Sequence, residues 1–116
     1  TRPVESVDIL PTIADLCGLP MLDGIEAISM KPLLENPSIA WKKGAITYSH
    51  GLKNRSIRTE RYRYSEYDKG HAQLFDYETD PLEHRNLAGD PAHTQTVEEL
   101  AGLLKAGRKS WLPPKV

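Results

Sequence analysis

The sequence predicts an α+β fold: a small antiparallel β-sheet of about three or four strands packed against a C-terminal helix, with an N-terminal helix. Apolar residues recur at helical spacing only near the two ends, at Leu10, Ile13, Ala14 and Cys17 and again at Val97, Leu100, Ala101 and Leu104. Between them, short β-branched and aromatic runs are bounded by Gly, Asn and Asp-Pro punctuation. A chain of 116 residues can bury one core, so residues 1–116 are expected to form a single domain.

The first helix is expected from about residue 8 to residue 17. Asp8 is a suitable N-cap, Pro11 falls in the first turn, where its missing N–H is not needed, and Gly18 can end the helix in a left-handed conformation. Its face of Leu10, Ile13, Ala14 and Cys17 is expected to pack inward, with Cys17 a small buried thiol. From Gly18 to Gly44 three prolines break regularity, leaving room for a short helical turn around Pro32 to Glu35. Trp41 in this stretch is either an anchor on a neighbouring domain or a cap on this domain's own core.

Ala45 to His50 is the first strand, bounded by Gly44 and Gly51. Arg55 to Tyr64 then reads as a hairpin. With Glu60-Arg61 as the turn, Arg58 faces Arg63 and Ile57 faces Tyr64, so apolar bulk collects on one face and two guanidinium groups on the other. That turn lacks the Gly or Asn of a tight hairpin, and a slip of one residue would exchange the faces. Opposed arginines call for an anion nearby. Asp76 or Glu66 can supply it internally, and a sulfated or carboxylated ligand gripped by Arg58 or Arg63 can supply it from outside.

Leu74, Phe75 and Tyr77 mark the last strand, which breaks into the turn Asp80-Pro81; Asp80 can accept from following backbone N–H groups. Asp90 and Pro91 then open a helix that should cover the sheet and end near Gly107, with Arg108-Lys109 following and Pro113-Pro114 barring continuation.

A net charge of -1 gives no electrostatic reason to invoke nucleic acid or a membrane surface as partner. No run reaches the roughly 18 apolar residues of a membrane span. His50, His71, His84 and His93 have no zinc-like spacing, so no metal site is expected. Because the chain opens on Thr1, its natural start is expected to lie elsewhere.

Four stretches taken in order carry a resemblance: Val7-Asp8-Ile9-Leu10-Pro11-Thr12, Ser29-Met30-Lys31-Pro32-Leu33-Leu34, Arg58-Thr59-Glu60-Arg61-Tyr62-Arg63-Tyr64, and Leu74-Phe75-Asp76 running on through Asp80-Pro81-Leu82-Glu83 to Asn86-Leu87-Ala88. Together they resemble the C-terminal subdomain of the sulfatases, the arylsulfatase and iduronate-2-sulfatase-like enzymes of the alkaline phosphatase superfamily. The resemblance implies a parent enzyme that hydrolyses sulfate esters, with formylglycine and calcium in a catalytic domain N-terminal to this part. The formylglycine motif C-x-P-S-R is not found at Cys17, which Gly18-Leu19-Pro20-Met21 follow. The chain alone is therefore expected to be inactive, with no catalytic residue of its own.

Its expected partners are the catalytic domain and a sulfated small molecule or sugar, with self-association possible for the isolated chain through an exposed apolar face or edge of the subdomain. The resemblance favours a periplasmic or extracellular parent. It also places the loop after the first strand near the mouth of the active site, making His50 a substrate contact alongside Arg58 and Arg63; a solvent-facing or structurally bonded His50 is the alternative. Two other readings stand beside it: a free-standing binding or assembly module, and the equivalent subdomain of a phosphonate or phosphodiester hydrolase.

Overall fold

A computed structural model describes residues 1–21, 23–107 and 112. Contacts group these into two compact units, Val4–Trp41 and a second that runs from Lys42 onward and includes Thr1–Pro3. The α+β class is as expected. The basic residues Arg108-Lys109 and the stop at Pro113-Pro114 lie outside the described residues.

In Val4–Trp41, a 3-10 turn at Ser6–Asp8 leads into α1 (Ile9–Leu16), and Pro32 helps start the short α2 (Lys31–Glu35). Asp8 is fully buried and caps a different turn from the one expected. Its carboxylate accepts from the backbone N–H groups of Glu5 at 3.0 Å and Ile28 at 3.3 Å, so it closes the turn before α1 and fastens a distant strand of chain. Gly18 ends the helix at φ 67°, in the left-handed region that glycine enters freely.

The expected inward stripe of α1 points outward. Of Leu10, Ile13, Ala14 and Cys17 only Ala14 is buried, while Leu10 and Ile13 are each 53% exposed and the Cys17 thiol is exposed. The physical reason is a set of hydrogen bonds on the other side of the helix. Thr12 Oγ1 donates to Asp8 O at 2.6 Å and accepts from Met30 N at 2.8 Å, and Ser29 Oγ donates to Asp15 at 2.7 Å. These bonds lay residues 28–30 along the polar side of α1 and turn its apolar side away.

The second unit is an antiparallel meander, β1 (Ala45–Ser49), β2 (Asn54–Arg58), β3 (Tyr62–Glu66) and β4 (Ala72–Asp76), paired in that order. The hairpin register is the expected one, with Arg58 opposite Arg63 and Ile57 opposite Tyr64. Thr59 substitutes for the missing turn glycine: its N–H donates to Tyr62 O at 2.8 Å and its hydroxyl accepts from Tyr62 N at 2.9 Å. Period-2 alternation then puts Ile46, Ile57, Tyr64 and Leu74 on one face.

On that face lies α3 (Thr94–Ala106), entered through a 3-10 turn at Pro91–His93 whose cap is Asp90, accepting from Ala92 N at 3.0 Å. Leu100 and Leu104 join Ile57, Tyr64, Leu74 and Leu87 in one buried cluster, each large side chain contributing about 1.5–3 kcal/mol on burial. Gly44 permits this packing. A Cβ there would stand 2.8 Å from Ile57 Cγ1 and 3.2 Å from Arg58 O.

The free edge of β4 is covered by the chain that follows it. Asn86 Oδ1 accepts from Leu74 N at 2.9 Å, Asn86 Nδ2 donates to Ala72 O at 3.1 Å, and Leu87 N donates to Leu74 O at 2.8 Å. The amide side chain thus imitates a strand backbone where an open edge would invite unwanted pairing. The opposite sheet face carries Ser56, Arg58, Arg63, Ser65 and Gln73 with the buried Phe75, and among the described residues most of the exposed large apolar side chains lie in Val4–Trp41. Among the described residues no helix is long and apolar enough to cross a membrane.

Candidate functional site

The site begins with the two opposed arginines. Like charges facing each other across a sheet are unfavourable unless other groups satisfy them, and each finds a different solution. Arg63 forms an ion pair with Glu83 and lies 5.2 Å from the centre of the Phe75 ring; its Nε is buried without a hydrogen-bond partner. Arg58 places its guanidinium carbon over Tyr77, 3.5 Å from the ring centre, and donates through Nη1 to the carbonyl of Thr59 at 2.7 Å. Tyr62 O is a weaker acceptor at 3.4 Å.

Neither Asp76 nor Glu66 serves this pair, contrary to the internal network expected from sequence. Asp76 is buried and receives a two-pronged bond from Arg61, Nε at 2.9 Å and Nη2 at 2.7 Å, while Glu66 pairs with Arg55. The reason is reach. Arg61 sits at the tip of the β2–β3 turn, where its own carbonyl accepts from Tyr77 N at 2.9 Å, so its side chain starts beside the end of β4. The Arg61 bonds hold the Asp76 carboxyl below the usual carboxylate range, helped by an N–H from Glu78 and opposed by burial.

Glu83 is the acid that sequence reasoning missed. It adopts φ 58°, a left-handed conformation uncommon for glutamate, and in that position it pairs with Arg63 and accepts from the Tyr77 hydroxyl. Burial first, then this bond to Glu83, pushes the Tyr77 phenol up. Asp80 organises the same turn by accepting from Arg85 N at 2.8 Å, and backbone bonds from His84 and Arg85 hold its carboxyl low. A signal for Glu83 was present: an acid two positions after Pro81, in the turn that leaves β4.

The charges border a cleft of about 560 Å³ lined by Thr1, Arg58, Glu60, Arg61, Tyr77 and Glu78. Among the described arginines, Arg58 is the one without a carboxylate partner: Arg2, Arg55, Arg61, Arg63 and Arg85 each have one. His50 is elsewhere. It sits exposed in the β1–β2 turn at φ 51°, beside the Ser49–Asn54 pair, whereas Arg58 pairs with Ala45 at the far end of both strands. Four residue steps, about 13 Å along the sheet, separate those two pairs, and His50 lies one residue beyond the Ser49–Asn54 pair. The structure brings Arg58 and Arg63 together and leaves His50 apart.

Residues 1–110 match the family model for the C-terminal region of N-sulphoglucosamine sulphohydrolase. The chain belongs to this family of sulfatase C-terminal domains. The sulfatase domain is 31% identical over 106 residues to an ulvan-active sulfatase of Formosa agariphila, covering 84% of this chain and 21% of that protein. It superposes with a TM-score of 0.74 on a protein solved in complex with its substrate D-glucosamine-2-N,6-O-disulfate, at 28% identity, covering 90% of this chain and 24% of the other. A phosphonate monoester hydrolase of Agrobacterium radiobacter superposes with a TM-score of 0.70 at 26% identity, over 90% of this chain and 25% of the other. The sulfatase domain thus spans about a fifth of the length of the curated relatives it matches.

The residues of this domain do not fit the cofactors of a sulfatase centre. Among the described residues no group of three or more His, Cys, Asp or Glu side chains converges to hold a cation. Cys17 is exposed at the end of α1, and the Gly18-Leu19-Pro20-Met21 that follow it do not form the formylglycine motif.

Proposed function

We propose that this chain is the C-terminal part of a sulfatase acting on sulfated sugars, and that its own role is structural, with Arg58 shaping access for an anionic substrate. The family match over residues 1–110 carries the reading. Catalysis is assigned to the part of such an enzyme that precedes this one, together with formylglycine and calcium, and no step of the hydrolysis is assigned to residues here. A periplasmic or extracellular site of action suits an enzyme working on sulfated polysaccharides.

The cross-braced turn explains the structural role. Arg61 with Asp76 and Arg63 with Glu83 tie the β2–β3 hairpin to the end of β4 and the turn after it, a turn that Asp80 closes by accepting from Arg85 N. On the rim of the cleft Arg58 has no carboxylate ion-pair partner among the described residues, although Glu60 and Glu78 line the same cleft, and its guanidinium stacks on Tyr77. A planar guanidinium matches a sulfate or carboxylate through two parallel bonds. Arg63, committed to Glu83, supports the rim; His50, beyond the opposite end of β1, would meet a different part of an extended substrate.

A second reading keeps the architecture and changes the ester. The 26% identity to a phosphonate monoester hydrolase favours it, and a Thr or Ser nucleophile upstream in place of C-x-P-S-R would select it. In a third reading the chain is a free-standing binding or assembly module.

The deciding experiment is the mass and peptide sequence of the natural product, captured with an antibody to this chain. A species several times heavier than 13.0 kDa that carries a formylglycine peptide is expected; a product of about that size would overturn the sulfatase reading in favour of the module. In the longer enzyme Arg58→Ala is expected to raise KM for a sulfated sugar about tenfold, the cost of roughly 1.4 kcal/mol, with kcat and turnover of a small aryl sulfate unchanged. Equal KM values for the two proteins would remove Arg58 from substrate binding.

A further inference from the structure

Three of the four strands place a hydroxyl at the same level of the sheet, and the fourth places an amide there. Thr47 pairs with Ser56, Ser56 with Ser65 and Ser65 with Gln73, so these side chains form one row across the face opposite α3, about 14 Å long at the usual strand spacing. Ser56 Oγ and Ser65 Oγ share a hydrogen bond at 2.9 Å, and the Tyr67 hydroxyl donates to Gln73 Oε1 at 3.0 Å. Beside the row lies a groove of about 100 Å³ lined by Thr47, Ser49, Asn54, Ser56, Ser65 and Tyr67. Arg55 and Arg63 complete its lining.

The lining narrows the occupant. Both arginines are already ion-paired, Arg55 with Glu66 and Arg63 with Glu83, and no carboxylate lines the groove. An anion would find no uncommitted cation here, in contrast to the cleft at Arg58. Hydroxyls, each with one donor and two acceptor positions, match other hydroxyls. The row is more than a wetted surface, because Ser65 is 3% exposed and Arg63 Nε is buried with no hydrogen-bond partner, a donor that calls for an oxygen. Tyr67 adds an amphipathic ring, and the volume, that of about three waters, takes one edge of a sugar ring.

We infer that this groove seats an uncharged sugar ring adjoining the one whose sulfate meets Arg58, so that the enzyme reads two neighbouring units of a polysaccharide. This rests on the sulfatase reading and adds to it a second subsite with residues of its own. Ser56 lies two residues from Arg58 on β2, about 7 Å along the same face, so one chain of sugars can touch both. Thr47 and Ser56 are then specificity-determining residues with no part in the hydrolysis. The test compares KM in the longer natural enzyme for a sulfated monosaccharide that it hydrolyses and for a tetrasaccharide in which unsulfated sugars follow the same sulfated unit. Wild type, Thr47→Val and Ser56→Ala are measured side by side.

The wild type is expected to bind the tetrasaccharide with a KM about tenfold lower, and each variant to lose at least about threefold of that preference, the effect of one hydrogen bond, with KM for the monosaccharide kept. Arg58→Ala should raise KM for both substrates alike. Equal KM values for the two substrates in the wild type, or a preference kept in both variants, would overturn the inference and leave the sulfatase reading intact. An equal rise for both substrates in Thr47→Val and Ser56→Ala, the mark of a structural effect, would overturn it as well. Should Ser56→Ala fail to fold, seen by circular dichroism, Thr47→Val decides, because Thr47 is exposed. A natural product of about 13.0 kDa, seen by mass beforehand, would remove the sulfatase reading and the subsite together.

Discussion

α1 and α3 are both short amphipathic helices, and they use their apolar stripes in opposite ways. α3 buries Leu100 and Leu104 to 4% and 2% exposure against Ile57, Tyr64 and Leu74, while α1 leaves Ile9, Leu10, Ile13 and Leu16 more than half exposed. Periodicity decides that each forms a helix with one apolar side. What that side meets depends on the partner supplied: α3 has the sheet, and α1 has its polar side held by Thr12, Asp15 and the chain at residues 28–30. The unit from Lys42 onward therefore carries a core of its own, and Val4–Trp41 leaves the apolar side of its helix exposed.

The largest effect separating the two helices should come from truncating their stripes. Leu74→Ala in the sheet core is expected to cost about 3 kcal/mol of unfolding free energy in urea, by lost burial and the cavity left behind. Ile13→Ala in the same 116-residue chain should stay within about 0.5 kcal/mol, as for exposed sites. A loss above about 2 kcal/mol for Ile13→Ala would break the comparison.

Next comes the brace at the end of β4. Asp76→Asn removes the buried charge and the Oδ2 acceptor of Arg61 Nη2, while an amide oxygen can still accept from Arg61 Nε and Glu78 N, and should cost about 2 kcal/mol at neutral pH, in the range for bonds to charged groups. Because the folded pKa of Asp76 lies below its unfolded value of about 3.9, its contribution is complete above that pH and is lost as pH falls through the folded value. The wild type should therefore lose stability in strong acid more steeply than Asp76→Asn; parallel acid limbs would argue against the brace.

Gly44→Ala should follow at about 1–2 kcal/mol, the cost of overpacking against Ile57. Tyr77→Phe, which keeps the ring under Arg58 and removes the hydroxyl bonded to Glu83, should cost about 1 kcal/mol. Circular dichroism melts would rank both against Leu74→Ala, and an order that placed Tyr77→Phe first would contradict the packing described above.

Much of the sheet unit was legible in sequence because its signals are local. Glu60-Arg61 as a two-residue turn sets the pairing of Arg58 with Arg63 and of Ile57 with Tyr64, and Asp90-Pro91 marks the entry to α3. The site was legible only in part. Glu83 reaches Arg63 through a left-handed backbone that residue preferences argue against, and Arg61 takes Asp76 because of its place at a turn tip. Asn86 as a surrogate strand could not be read from its type alone. The orientation of α1 was misread for a simple reason: an apolar stripe predicts burial, and here the hydrogen bonds of Thr12 and Asp15 to residues 28–30 hold the polar side of the helix inward.

Hydrogen exchange of the isolated 116-residue chain tests the contrast between the two units most directly. Amides of β2, β3, β4 and the Leu100–Leu104 turn of α3 should exchange only through global unfolding, while those of α1 open at a free energy several kcal/mol lower. Exchange of α1 and β3 at one common free energy would contradict the claim that Val4–Trp41 is held by a smaller core than the sheet unit.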